Sequence, residues 1–143
     1  KVVALGMTVI YTNIIGDLGE EGFKYFEMKE LLEKSDYISL HVPFDKEKGA
    51  LLGTDEFTAM KDGVYIVNCA RGGVVDENAL LDALKSGKVA GAGIDVFEEE
   101  PTANTELINH QNVSVTPHIG ASTKEAQKKI GLEIINIIEN GGK

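Results

Sequence analysis

Between Gly63 and Val96 the chain changes its period twice. Val64–Val67 is a β-branched apolar run. Asp76–Ser86 then places Ala79, Leu80, Ala83 and Leu84 at helical spacing and is closed by Gly87, and Val89–Val96 returns to an apolar run built partly from small residues. Two buried strands joined by an amphipathic helix form a βαβ unit, which requires a parallel sheet and a right-handed crossover. An all-helical or purely antiparallel architecture does not accommodate this stretch.

The same alternation extends outward. Lys1–Leu5 reads as the last turn of a helix ended by Gly6, and Met7–Tyr11 as the strand that follows. Asn13–Gly22 is a glycine-punctuated acidic loop, and Lys24–Phe26 a short strand. Met28–Lys34 is a short amphipathic helix with Leu31 and Leu32 on its apolar side. Tyr37–Val42 is a strand stopped by Pro43. After a polar segment over Asp45–Gly53, Thr54 is expected to cap a helix over Asp55–Met60 that ends at Gly63. Glu98–Asn112 is loop with one helical turn near Leu107, and Val113–Val115 is a further strand. Ser122–Asn140 is the longest helix: Ser122 or Thr123 caps it, Ile130, Ile134, Ile137 and Ile138 form its stripe, and Gly141-Gly142 ends it. The expected fold is an α/β, doubly wound parallel sheet. At 143 residues the chain has the length of one domain and can bury a sizeable core.

Composition narrows the partners. A net charge of −9 argues against nucleic acid and anionic membranes, both of which attract clustered Lys and Arg. The apolar runs are far too short to span a bilayer, and the first residues lack a charged segment, an apolar core and a cleavage site. Cys69 is the only cysteine, so neither a disulfide framework nor a metal cluster is expected, and a reducing cytoplasm is the natural compartment.

Three polar residues follow the apolar runs. Arg71 stands in Asn68-Cys69-Ala70-Arg71-Gly72-Gly73, Glu100 in Glu99-Glu100-Pro101 and His118 in Thr116-Pro117-His118. Catalytic groups of open α/β sheets collect beyond the carboxyl ends of the strands. A guanidinium, a carboxylate and an imidazole there can bind a carboxylate substrate and move a proton. Gly72 and Gly73 allow a tight turn and the close approach of a ligand. Asp95, at the end of Val89–Val96, can accept from a ligand amide or cap a neighbouring helix. His118 lies between a helix start at Gly120-Ala121-Ser122, which disfavours the charged imidazole, and the acids near Glu100, which favour it. Of the other histidines, His41 lies at a strand end and can line a cleft, whereas His110 sits in a polar loop. Taken residue by residue, a surface arginine, an acidic loop and a structural histidine explain these positions equally well. Gly91-Ala92-Gly93 does not complete a dinucleotide-binding glycine motif, because position 96 is Val and no helix opens there.

The segments NCARGGVVDENALLDAL, GAGIDVFEEEP and TPHIGASTKEAQ, in that order, resemble the nicotinamide-binding domain of the D-2-hydroxyacid dehydrogenase family, and within it the 3-phosphoglycerate dehydrogenase branch. The resemblance implies a Rossmann-like domain that transfers hydride between a D-2-hydroxy acid and NAD. His118 would shuttle the proton. Glu100 would orient the imidazole and favour its charged form, and Arg71 would bind the substrate carboxylate or carbonyl. Cofactor contacts carry over to Val42, Cys69, Ala70, Arg71, Asp95, His118, Gly120 and Ala121, with Asp95 holding the nicotinamide amide. The acid that usually holds the adenosine ribose falls at Asn13, so NAD is expected and NADP is not excluded.

The resemblance also implies that residues 1–143 are a partial domain. The first strand, central in the 3-2-1-4-5-6 order, its glycine-rich loop and a substrate-binding domain are expected outside it. The chain alone is then expected to be inactive, and the full-length protein to be a homodimer or higher oligomer. Hydroxypyruvate or glyoxylate reductases and D-lactate dehydrogenases of the same family are alternatives. A different class, an NAD(H)-sensing corepressor-like binding protein, can retain the same three residues.

Overall fold

The computed structural model describes residues 1–141. Val2–Leu5 form a 3-10 turn, closed by Gly6 in the left-handed region (φ 83°). The elements that follow are β1 (Ile10–Tyr11), β2 (Lys24–Tyr25), α1 (Met28–Lys34), β3 (Tyr37–Leu40), α2 (Thr54–Ala59), β4 (Val64–Asn68), α3 (Glu77–Ser86), β5 (Val89–Ile94), α4 (Thr105–Ile108), β6 (Val113–Val115) and α5 (Lys124–Glu139). All strand pairings are parallel, as the alternation requires.

The strands form two sheets rather than one. β3-β4-β5-β6 make a four-stranded sheet, and β1-β2 a separate pair. The split falls where the 3-2-1-4-5-6 order places its first strand. β1 is also shorter than the apolar run Met7–Tyr11. A strand persists only where a neighbour completes its ladder, and its one partner is two residues long.

One face of the larger sheet carries the core. Ile38, Leu40, Val64 and Ile66 are buried with Leu31 and Leu32 of α1, Phe57 of α2, and Leu80 and Leu84 of α3. The alternate positions Tyr37, Tyr65 and Val67 are exposed on the opposite face, where the Tyr37 and Tyr65 rings stack at 5.1 Å. The period of two thus survives even in a parallel sheet, because helices cover one face only among the described residues.

Helix ends depart from expectation in three places. Thr54 is the first residue of α2 rather than its cap. Gly53 takes that position, its N–H donating to Glu56 Oε2 at 2.9 Å, and the helix stops at Met60, before Gly63. α5 begins at Lys124, capped as expected by Thr123, whose Oγ1 accepts from Ala126 N at 3.1 Å; the departure is that no helix opens at Gly120. The stripe of α5 was expected to face a core, yet Ile130, Ile134, Ile137 and Ile138 are exposed. Amphipathicity specifies a face that needs a partner, and no described element buries this one. Gly142 lies outside the described residues. Asp76 caps α3 through bonds to Asn78 N and Ala79 N, both 2.9 Å, and its stripe is buried as read.

Candidate active site

The parallel register sets Leu40, Asn68, Ile94 and Val115 side by side across the sheet. Chain leaving β3, β4, β5 and β6 therefore emerges at one edge. Arg71, Asp95, Glu100 and His118 all lie just beyond it.

After β4, the buried Asn68 shapes the turn. Its Oδ1 accepts from Ala70 N at 3.1 Å, and its Nδ2 donates to Arg71 O at 3.2 Å. A buried amide must satisfy both ends, and here the turn itself does so. Arg71 is exposed, and its Nη1 donates to Ala70 O at 2.6 Å. Gly72 was expected to admit a ligand. Instead a Cβ there would stand 1.7 Å from Phe97 O, so the turn is pressed against the chain that leaves β5. Gly73 (φ 78°) lies against the Phe44 ring, with a Cβ position 2.7 Å from its nearest atom.

Asp95 is 4% exposed and organises the loop after β6. Its Oδ1 accepts from Thr116 Oγ1 at 2.5 Å and from Ile119 N at 2.9 Å, and its Oδ2 from Gly120 N at 2.9 Å. The Thr116 hydroxyl and the Ile119 N–H hold its pKa below the ordinary carboxylate value against the cost of desolvation. The helix-cap alternative for Asp95 is not what the fold uses: the donors are loop amides and a hydroxyl.

The loop it holds carries His118 in the left-handed region (φ 52°), a conformation that a non-glycine residue keeps only where its surroundings impose it. His118 Nδ1 donates to Glu100 Oε2 at 2.8 Å, while Glu100 Oε1 accepts from Phe97 N at 3.1 Å. The pair is partly exposed, with side chains 49% and 39% accessible. The His118 bond first, and the Phe97 N–H second, lower the pKa of Glu100. An ionised Glu100 fixes the tautomer in which Nδ1 carries the proton and Nε2 is free to accept one. Among the described residues no group bonds Nε2.

An imidazole oriented by a carboxylate, with its other nitrogen free, can accept a proton from a hydroxyl. A family model described as "D-isomer specific 2-hydroxyacid dehydrogenase, NAD binding domain" matches residues 1–120.

The chain belongs to the D-isomer specific 2-hydroxyacid dehydrogenase family.

A D-3-phosphoglycerate dehydrogenase of Dictyostelium discoideum is 46% identical over 141 residues, covering 94% of this chain and 35% of that protein. The crystal structure of a glyoxylate reductase from Paecilomyes thermophila superposes with a TM-score of 0.88 at 42% identity, covering 99% of this chain and 44% of the other. That of a D-lactate dehydrogenase from Aquifex aeolicus, complexed with NAD and lactic acid, gives 0.79 at 34% identity, covering 98% and 48%. The chain spans less than half the length of the curated relatives it matches.

The dehydrogenase family binds NAD, and the acceptor left free on Asp95 fits the chemistry of an amide donor such as NAD carries. Three of the roughly four lone-pair sites of Asp95 are taken, which leaves one on Oδ2 for an amide N–H. A Cβ on Gly120 would stand 3.2 Å from that same oxygen, a tight contact that glycine avoids. Cys69 and Ala121 are exposed at the edge, Ala70 is buried and Val42 half-buried. Asn13 lies apart from these, beyond β1 in the smaller sheet, its Oδ1 accepting from Ile15 N at 3.2 Å in a turn. His41 bonds Ser39 at 2.9 Å, and His110 accepts from Asn112 N at 3.2 Å, so each serves its own segment.

Sequence reasoning overlooked Asn68, Glu77 and Thr116 as organisers. The one sequence signal was position: each lies within one of the three motif segments.

Proposed function

We propose that residues 1–143 form the nicotinamide-side wall of an NAD-dependent D-2-hydroxyacid dehydrogenase that oxidises 3-phosphoglycerate. In this reading they act as part of an NAD-binding domain, and the substrate-binding domain is not within them. The hydrogen bond between His118 Nδ1 and Glu100 Oε2 carries the proposal, because it leaves Nε2 as the base for a substrate hydroxyl.

In oxidation His118 takes the hydroxyl proton at Nε2 while Glu100, held ionised, stabilises the imidazolium that forms. In reduction the same nitrogen returns the proton. NAD, when bound, supplies the hydride acceptor. Arg71 offers an exposed guanidinium at the same edge and binds the substrate carboxylate. Asp95 would hold the nicotinamide amide, Gly120 and Ala121 would line its pocket, and Val42, Cys69, Ala70 and Asn13 would supply the remaining cofactor contacts. The motif GASTKEAQ and the name of the Dictyostelium relative favour 3-phosphoglycerate over glyoxylate or lactate.

The test titrates NADH into the 15N-labelled chain. The amides of Ile119, Gly120 and Cys69 are expected to shift, and an unchanged set of these three would overturn the assignment. Turnover of 3-phosphoglycerate by the 143-residue chain alone is expected to be undetectable. A chimera placing this segment in the Dictyostelium enzyme is expected to oxidise it and to lose that activity in His118→Gln.

A further inference from the structure

The loop between β5 and α4 carries Glu100, and on both sides of Glu100 it is tied to a motif residue that the proposed function does not use. Glu77 is the first residue of α3. Its Oε1 accepts from Glu98 N at 2.8 Å and its Oε2 from Asn104 Nδ2 at 3.1 Å. Both carboxylate oxygens are thus spent on the loop, two residues before Glu100 and four residues after it. The helix does not need Glu77 as a cap, because Asp76 already satisfies the amides of Asn78 and Ala79. Asn104 in turn caps α4 by accepting from Leu107 N at 3.1 Å, and Leu107 is fully buried. On the other side the loop has no room to move toward the Arg71 turn, since Gly72 touches Phe97 O.

We infer that Glu77 is a positioning residue for the Glu100–His118 pair: its carboxylate bridges Glu98 and Asn104 and fixes the loop at the height from which Glu100 reaches Nδ1 of His118. The inference rests on the functional reading of that pair given above. Two elements, α3 and β5, then converge on one imidazole through two acids, Glu77 and Asp95. Asp95 sets the backbone on which His118 stands, and Glu77 sets the carboxylate that His118 meets. The charged groups that face Glu100 are His118, by direct bond, and Asp95, by proximity.

The experiment follows the side-chain carboxyl carbons of Asp and Glu by 13C NMR across an acid titration of the 143-residue chain. His118→Gln is expected to move the Glu100 midpoint upward, which verifies the pair. If it does not, the pairing and this inference both fail. Glu77→Gln keeps the shape of the side chain but turns one acceptor into a donor facing Asn104. Asn104→Asp keeps the cap on Leu107 while setting one carboxylate against another. With His118 intact, each is expected to move the Glu100 midpoint upward, to speed exchange of the Glu98 amide and to leave the Asp95 midpoint unchanged. An unmoved Glu100 midpoint in both variants, with His118→Gln effective, overturns the role of Glu77 and leaves the pair standing. Asp95 moving together with Glu100 also overturns it, because that outcome reports general loosening.

Discussion

Two loops meet at His118, and they are held in opposite ways. The loop after β6 is gripped from beneath by a buried carboxylate, Asp95, through three short bonds to groups within five residues of one another. The loop after β5 is clipped at Glu98 and Asn104 by the half-buried Glu77 and stopped by backbone contact at Gly72. The first arrangement fixes a backbone conformation, including the left-handed His118. The second fixes a distance. A base that must meet an acid needs both, since a side chain is no better placed than the chain segment bearing it.

The comparison is broken most severely at Gly72. Gly72→Ala puts a methyl where Phe97 O already lies, and such overpacking is expected to cost about 3 kcal/mol in urea unfolding. A cost below a third of that would mean that the two segments part easily and that the distance is not fixed. Asp95→Asn comes next. One of the two loop amides then faces an NH2 group, and about 2 kcal/mol is expected to be lost. Exchange of the Ile119 and Gly120 amides should rise before that of Glu98. Equal acceleration of both loops would show that they are held as one unit.

Thr116→Val removes a single donor to the same carboxylate and is expected to cost about 1 kcal/mol, with Thr116→Ser recovering most of it. An unchanged melting temperature in the valine variant would place that hydroxyl outside the grip.

Acid titration tests both loops, and with the same sign. Asp95 and Glu100 both have lowered pKa values, so their contributions are fully present above the ordinary carboxylate range and are lost as pH falls through the lowered values. Melting temperature followed downward from neutrality should stay level and then fall. In Thr116→Val the fall should be smaller, because the largest cause of the Asp95 shift is gone and its folded pKa lies nearer the unfolded one. A melting temperature that rises through that acid range contradicts the assignment. The smallest effect is expected at Lys85–Glu106, an exposed ion pair at 2.5 Å joining α3 to α4 on the Glu77 side. Lys85→Ala should change stability by less than about 0.5 kcal/mol.

Much of the fold was legible because period and punctuation are local. The boundaries of α1 and the buried stripe of α3 followed from apolar spacing and glycine stops. So did the helical turn at Leu107 and the position of β6. What misled was reading a local pattern without its partner. Met7–Tyr11 looks like a full strand but has little to pair with, and the isoleucines of α5 form a stripe that no described element covers. Gly72 was legible as a position needing no side chain. That the crowding neighbour is Phe97 O, and not a ligand, depends on a contact between segments far apart in sequence.

The motifs also named the residues of the edge without saying how they touch. The sequence by itself determined the parallel α/β architecture, the family and the chemical types gathered beyond the strand ends, because periodicity and short-range turn chemistry are properties of adjacent residues. Only the tertiary structure decided that Asp95 holds the His118 loop, that His118 meets Glu100 through Nδ1, and that Glu77 spans the Glu100 loop. Those bonds join residues about twenty positions apart, and their lengths are set by register and loop packing, which no local pattern encodes.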